Sequence, residues 1–299
     1  MIDREQPRAD TAAVVSVSGT ESVVSPRHQQ LIVTIYGLYA LDEGDALQVA
    51  ALVRLMGDLG VEAAGVRSSV SRLKRRGVLE SRRNGGVATY AISAGSVQMF
   101  AEGDTRIFAP ARASIDDRWL LVVFSIPETL RAKRHVLRTE LTRLGFGSVT
   151  SGVWIAPVKV WEQARGQLER HGLASYVDAF SADNLTPGEL SAKVALWWDL
   201  MALDAMYAEF VARYAALLPR WESAASSSAP APGSAKDAFA DYVPMVTEWR
   251  RLPYLDPGLP LELLPESWNG VRAEQLFADL NRVLGPLAHD YVSGIIHQR

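Results

Sequence analysis

Along residues 27–95 the apolar positions repeat first at helical and then at strand spacing. Leu31 to Leu41 (LIVTIYGLYAL) is apolar and long enough for a buried helix, and it falls well short of the roughly 20 residues that cross a bilayer. Leu47 to Leu59 places Val49, Leu52, Val53 and Met56 inward, and Gly57 and Gly60 loosen its end. From Ala63 onward, Val66, Val70 and Leu73 recur at the spacing of a core-facing stripe, and Gly77 stops this third helix. Leu79 to Arg83 and Val87 to Ile92 then read as two short strands around Asn84-Gly85-Gly86, where positive φ is tolerated and a hairpin can close. Helix followed by hairpin is the order of a winged helix-turn-helix, whose recognition helix enters the major groove while its wing lies along the phosphates.

The pattern changes twice more. Trp119 to Ile126 (WLLVVFSI) is a buried strand stopped by Pro127, and Arg131 to Leu144 is a helix with Val136, Leu137, Leu141 and Leu144 on one side. Phe146 to Thr150 and Val153 to Ala156 are short strands separated by Ser151-Gly152; Val160 to His171 is helical and Tyr176 to Ser181 is a last strand. The order β-α-β-β-α-β predicts a ferredoxin-like sandwich. Beyond Ser191 the chain turns helical: Ala192 to Leu218 as one or two helices, Phe239 to Arg251 as another, Pro253 to Pro265 as a proline-rich hairpin or loop, and Glu274 to Ile296 as a closing helix with a break at Gly285-Pro286. Ser226 to Ser234 reads as a flexible loop. The fold class expected is α+β in three units: a winged helix over 27–95, a ferredoxin-like domain over 117–185 and an all-α domain over 186–299 serving effector binding or dimerisation. Residues 1–26 are expected as a disordered tail and 96–116 as a linker.

Charge sharpens the first of these. Between Val66 and Tyr90 seven Lys or Arg face one acid, Glu80, so this segment carries +6 while the whole chain carries −3, leaving −9 elsewhere. One-sided charge on one short module is the footprint of a polyanion site. The residues expected to touch DNA are Arg67, Ser68, Ser71, Arg72, Lys74, Arg75 and Arg76 on the helix and Arg82 and Arg83 on the wing, with Arg72 or Arg75 best placed to reach a base edge.

Composition removes other chemistry. The 299 residues include no cysteine, which excludes disulfides and thiolate metal sites. The five histidines (His28, His135, His171, His289 and His297) are scattered, so no metal is expected. The first 25 residues mix acids with Ser, Thr and Ala and lack the order of a signal peptide, which points to a cytoplasmic protein. No G-x-x-x-x-G-K-[ST] loop or G-x-S-x-G elbow occurs. Asp116-Asp117 reads as a solvated turn and Trp154 as core or interface.

With these parts laid out, the chain resembles the PaaX family of transcriptional repressors over nearly everything after Arg27. The pattern is carried in the first unit by Val66-Arg67, Ser71-Arg72-Leu73, Arg75-Arg76-Gly77 and Gly86 to Tyr90. It continues through Glu102-Gly103, Arg106-Ile107-Phe108, Trp119 and Gly145-Phe146-Gly147. Its most specific stretch is the tail: Trp249-Arg250, Leu252-Pro253, Asp256-Pro257, Leu259-Pro260, Leu264-Pro265, Trp268 and Gly270. The resemblance implies a dimeric repressor of an aromatic-acid (phenylacetate-like) catabolic operon. Its partners would be a double-stranded operator and an aryl-CoA thioester, such as phenylacetyl-CoA, that releases it; no cofactor and no membrane are implied.

A thioester needs an apolar slot and cations for its phosphates. Trp197, Trp198, Met201, Trp249 and Trp268 offer the first, and Arg250 and Arg251 the second. The effector-binding residues expected are Trp197, Trp198, Trp249 and Arg250, although Arg250 could instead pair with Asp256. An unrelated small molecule is the alternative effector. The middle unit is also similar to CRISPR-associated metal-dependent nucleases, which place an aspartate at the end of the first strand. Here that end reads Phe124-Ser125-Ile126-Pro127, and serine is a poor Mg²⁺ ligand, so no enzyme is expected. The middle sheet's second face needs an apolar partner, either another subunit or the C-terminal helices, and is the expected dimer surface.

Overall fold

The computed structural model describes residues 26–41, 46–84, 86–185, 190–226 and 235–297. The expected tail falls outside these residues apart from Pro26, as does most of the Ser226–Ser234 loop.

The N-terminal unit begins with α1 (Pro26–Tyr39), with Pro26 where a missing N–H costs nothing. Leu31, Ile32, Ile35, Tyr36 and Tyr39 are all buried. Then follow β1 (Ala46–Gln48), α2 (Val49–Asp58), α3 (Ala63–Arg75), β2 (Leu79–Asn84) and β3 (Val87–Ile92). Gly77 ends α3 at φ 70°, and the hairpin turns at Gly86 with φ 85°, both in the left-handed region that favours glycine. Strand β1 was not anticipated. It pairs antiparallel with β3 (Ala46↔Ala91 to Gln48↔Thr89), on the edge that β2 leaves free. Three residues carry no period of their own, so the partner makes the strand.

The segment expected as a linker holds a helix instead, α4 (Ala94–Phe108). Its period is blurred by Gly95 and Gly103, yet partners from distant sequence fasten it. Arg106 donates to the carbonyls of Pro253 (2.9 Å) and Leu144 (3.2 Å) and to Gln163 Oε1 (3.1 Å). The Ile107 carbonyl accepts the Trp249 indole N–H at 3.0 Å.

The middle unit runs β4 (Trp119–Phe124), α5 (Arg131–Arg143), β5 (Gly147–Thr150), β6 (Val153–Pro157), α6 (Trp161–Arg170) and β7 (Val177–Ala182). Its sheet is antiparallel throughout, in the order β5-β6-β4-β7. Leu120, Val122 and Phe124 share one face with Trp154 and pack against Leu137 and Leu141 of α5 and Leu168 of α6. Trp154 therefore belongs to the core. The other face is covered at one end by the chain's own Trp197 and Trp198, whose rings lie 6.3 Å from Trp119. Farther along that face Val123 and Phe180 stay 37% and 55% exposed. Asp117 forms the expected turn, accepting from the Ser114 N–H at 2.9 Å, and it pairs with Lys159 at 3.2 Å.

The C-terminal unit comprises α7 (Leu190–Trp197), α8 (Leu200–Tyr214), α9 (Leu217–Ser226), α10 (Ala235–Trp249), α11 (Leu252–Leu255) and α12 (Asn269–Ile296). Two expectations change here. Residues 192–218 fall into three helices rather than one or two. Between Pro253 and Pro265, of the hairpin or loop expected, the chain makes the loop, which carries the end of α11 and a 3-10 turn (Leu261–Leu263). Helix α12 runs 28 residues without interruption through Gly285-Pro286. A proline removes one backbone bond and would kink an isolated helix; here Leu280, Leu284, Ala288 and Val292, on either side of it, are all buried.

The N-terminal unit packs directly on these helices. Thr34 Oγ1 and Thr247 Oγ1 meet at 2.8 Å across α1 and α10, both buried. Asp58 at the end of α2 receives Lys236 Nζ at 2.7 Å and the Tyr291 hydroxyl at 2.6 Å. Burial works to raise the Asp58 pKa, and these two partners outweigh it, holding the carboxyl below its usual range.

Candidate nucleic-acid interface and ligand-binding residues

Helix α3 divides as its sequence predicts. Val66, Ser69, Val70 and Leu73 are buried, while Arg67, Ser71, Lys74, Arg75 and Arg76 are exposed. Ser68 and Arg72 are half-buried, so Arg75 rather than Arg72 is the freer of the two arginines expected to reach outward. Lys74 Nζ donates to Ser81 Oγ at 2.6 Å and lies 5.7 Å from the centre of the Tyr90 ring, tying α3 to the hairpin. On β2, Arg82 pairs with Glu80 at 2.7 Å while both remain exposed, and Arg83 is exposed. The cations of α3 and of the hairpin thus sit on adjoining elements. Tyr36 of α1 donates from its hydroxyl to the Tyr90 carbonyl at 3.0 Å, which links the first helix to the same hairpin.

The four residues expected to bind an effector are not brought together. Trp198 is core: its indole N–H donates to the Gly145 carbonyl at 2.9 Å, and its ring lies so close to Gly147 that an added Cβ would fall 2.6 Å away. Trp197 packs edge-on against it at 6.2 Å. Trp249 is 1% exposed and stacks on Phe277 with centroids 4.5 Å apart. Arg250 does not pair with Asp256. Its Nη2 donates to the Gln30 carbonyl at 3.4 Å, its buried Nε has no partner among the described residues, and burial lowers its pKa. Asp256 takes Arg112 instead, at 3.0 Å, together with the Tyr207 hydroxyl at 2.8 Å. Met201 projects into solvent at 83% exposure, and Trp268 is buried against Tyr207 with centroids 5.7 Å apart.

A cavity of about 310 Å³ lies elsewhere, between α1 and helices α8, α10 and α11. Arg27, Arg213 and Arg251 stand around it with Glu209 and Glu248. Of these cations the sequence pattern had marked only Arg251. Arg27 precedes the apolar run of α1 and Arg213 lies on the outer side of α8, so each reads locally as an ordinary solvated residue.

Comparison with known proteins places the chain. Three family models match in order: "PaaX-like protein" over residues 27–96, "PaaX protein central Cas2-like domain" over 112–194 and "PaaX-like protein C-terminal domain" over 198–294. The chain belongs to the PaaX family. It is 28% identical over 283 residues to the "Transcriptional repressor PaaX" of Escherichia coli (strain K12), covering 93% of this chain and 84% of that protein. A solved structure, the uncharacterized protein Rv0674 from Mycobacterium tuberculosis, matches 90% of this chain and 99% of its own with a TM-score of 0.54. At 20% identity that likeness concerns the fold alone. Several residues that carried the family resemblance in the sequence meet at one junction. Arg106 and the Ile107 carbonyl hold the tail segment containing Trp249 and Pro253, while Gly145 approaches the Asp256 carbonyl and Pro257 so closely that a Cβ would lie 3.2 Å from each.

Proposed function

We propose that this protein is a DNA-binding transcriptional repressor of the PaaX type, acting as a regulator and not as an enzyme. Family membership across all three units supports this, as does the printed role of the Escherichia coli relative. The observation that carries it is the basic, outward face of α3 beside a basic hairpin in a chain of net charge −3. In this reading residues 27–95 form a winged helix-turn-helix with α3 in the major groove and the hairpin along the phosphates. The middle unit is a ferredoxin-like sandwich, an assignment supported by its β-α-β-β-α-β order and antiparallel sheet.

The protein binds its operator as a homodimer, since a two-fold pair of such units reads two half-sites. An aryl-CoA thioester of the phenylacetyl-CoA kind releases it, and the regulated operon serves aromatic-acid breakdown; both rest on the family resemblance. Among the described residues no helix is long and apolar enough to cross a membrane. The test is titration of DNA from the regions flanking this gene, with and without phenylacetyl-CoA. Specific binding that weakens with the thioester is expected. Because linkage is reciprocal, the operator must weaken thioester binding by the same factor. Binding that does not distinguish these fragments from random DNA overturns the repressor reading, and cleavage of DNA on adding Mg²⁺ or Mn²⁺ would favour a nuclease.

A further inference from the structure

The cavity beside α1 has the chemistry of an anion-recognition site joined to an apolar slot. Leu31, Met206, Phe210, Pro244 and Leu252 supply apolar wall. Arg27, Arg213 and Arg251 supply three guanidiniums against two carboxylates, in the part of the chain whose overall balance is acidic. Arg213 is held by Glu248 at 2.7 Å, which fixes its fork, while Arg27 and Arg251 are exposed. Guanidinium forks match phosphate and carboxylate oxygens two at a time. A volume of about 310 Å³ suits a small ligand, or one end of a larger one whose remainder lies along the surface.

The cavity's position gives it a consequence. One wall is the first turns of α1, through Arg27, Gln30 and Leu31, and the others belong to the C-terminal helices. The half-buried Arg250 side chain holds the Gln30 carbonyl, and Thr34 meets Thr247 one turn farther along. The same α1 carries Tyr36, whose hydroxyl bonds the Tyr90 carbonyl in the basic hairpin. A ligand seated between α1 and α10 would therefore press on the helix that supports the hairpin and α3.

We propose that this cavity binds an organic anion, a phosphate or carboxylate group attached to an apolar moiety, and that occupancy shifts α1 against α10 and so alters DNA affinity. The coupling to DNA rests on the repressor reading; the binding site does not. Arg250, expected to touch an effector, is here a positioning residue for Gln30.

Calorimetry on the full chain would test the site with phenylacetyl-CoA, coenzyme A, phenylacetate and inorganic pyrophosphate. Wild type would be compared with Arg251→Glu, Arg27→Glu and Met206→Trp, the last filling the apolar wall; thermal melts would confirm folding. The charge reversals should weaken the anion that binds by about tenfold or more, and Met206→Trp should weaken only probes with an aryl group. If phenylacetyl-CoA binds wild type and all three variants alike, the cavity is not its site, whereas the thioester reading survives. If the thioester fails while another probe binds in a manner sensitive to the variants, the site stands and the thioester reading falls. No heat from any of the four probes overturns both.

Discussion

Arg67 and Arg75 project from α3 into solvent, whereas Arg82 is partly occupied by Glu80 on its own strand. Replacing Arg75 by Ala should cost about 1–3 kcal/mol of operator affinity and relax specificity at one position, as loss of a base contact does. Replacing Arg83 should weaken all sequences alike and reduce the salt slope by about one. Anisotropy titrations across a salt series separate the two, and an Arg75→Ala protein with unchanged operator affinity would show that α3 does not enter the groove. Asp256 supports a different expectation. It is 8% exposed and holds the largely buried Arg112 together with Glu274, so Asp256→Ala leaves Arg112 with Glu274 alone and the Tyr207 hydroxyl without its acceptor. Leaving a buried donor unsatisfied costs about 1–3 kcal/mol, to be read from urea denaturation. The basic residues of α3 were legible because charge and period coincide within thirteen residues. Asp256 was legible as part of a motif but not as the partner of Arg112, since 144 residues separate the two.

At the scale of elements, the close approach of α7 to β5 depends on a missing side chain. A Cβ at Gly147 would lie 2.6–2.9 Å from three atoms of the Trp198 ring, so the ring or the strand must move. Gly147→Ala should destabilise by about 1–3 kcal/mol, the range for overpacking, and Trp198→Phe in the same chain should recover part of the loss. Additive effects of the two substitutions would contradict the packing argument. The seat of α2 on α10 and α12 turns on Asp58. Its folded pKa is depressed, so its stabilisation is complete above the unfolded value near 4 and is lost as pH falls through the folded one. Chemical denaturation of wild type and Asp58→Asn should therefore differ at neutral pH and converge on acidification. Helix α4 shows why such fastenings escape a reading of local pattern: its tie to Trp249 joins residues 142 positions apart.

For the whole molecule, the outer face of the middle sheet bears on assembly. The chain's own Trp197 and Trp198 cover its Trp119 end, while Val123 and Phe180 remain open. Light scattering at micromolar concentration should give twice the monomer mass if the proposed dimer forms. Phe180→Asp should lower that mass and weaken operator binding if this face is the interface; a dimer indifferent to Phe180→Asp would place the contact elsewhere.

The sequence alone determined most elements and their order, because hydrophobic period, glycine stops and turn residues act within a few positions of one another. It determined the basic face of α3 for the same reason, and the family, through short motifs kept in one order. Tertiary structure decided what depends on partners far along the chain. Strand β1 exists because β3 offers it an edge, α4 is held by Trp249 and by Arg106's reach to two other units, and α12 passes Pro286 with buried side chains on both sides. Tertiary structure also sent Trp198, Trp249 and Trp268, expected to line a pocket, into the core, because large apolar rings lose most by remaining in water. It placed Arg27, Arg213 and Arg251 around one cavity instead, a grouping that no local spacing encodes, since the walls come from helices nearly two hundred residues apart.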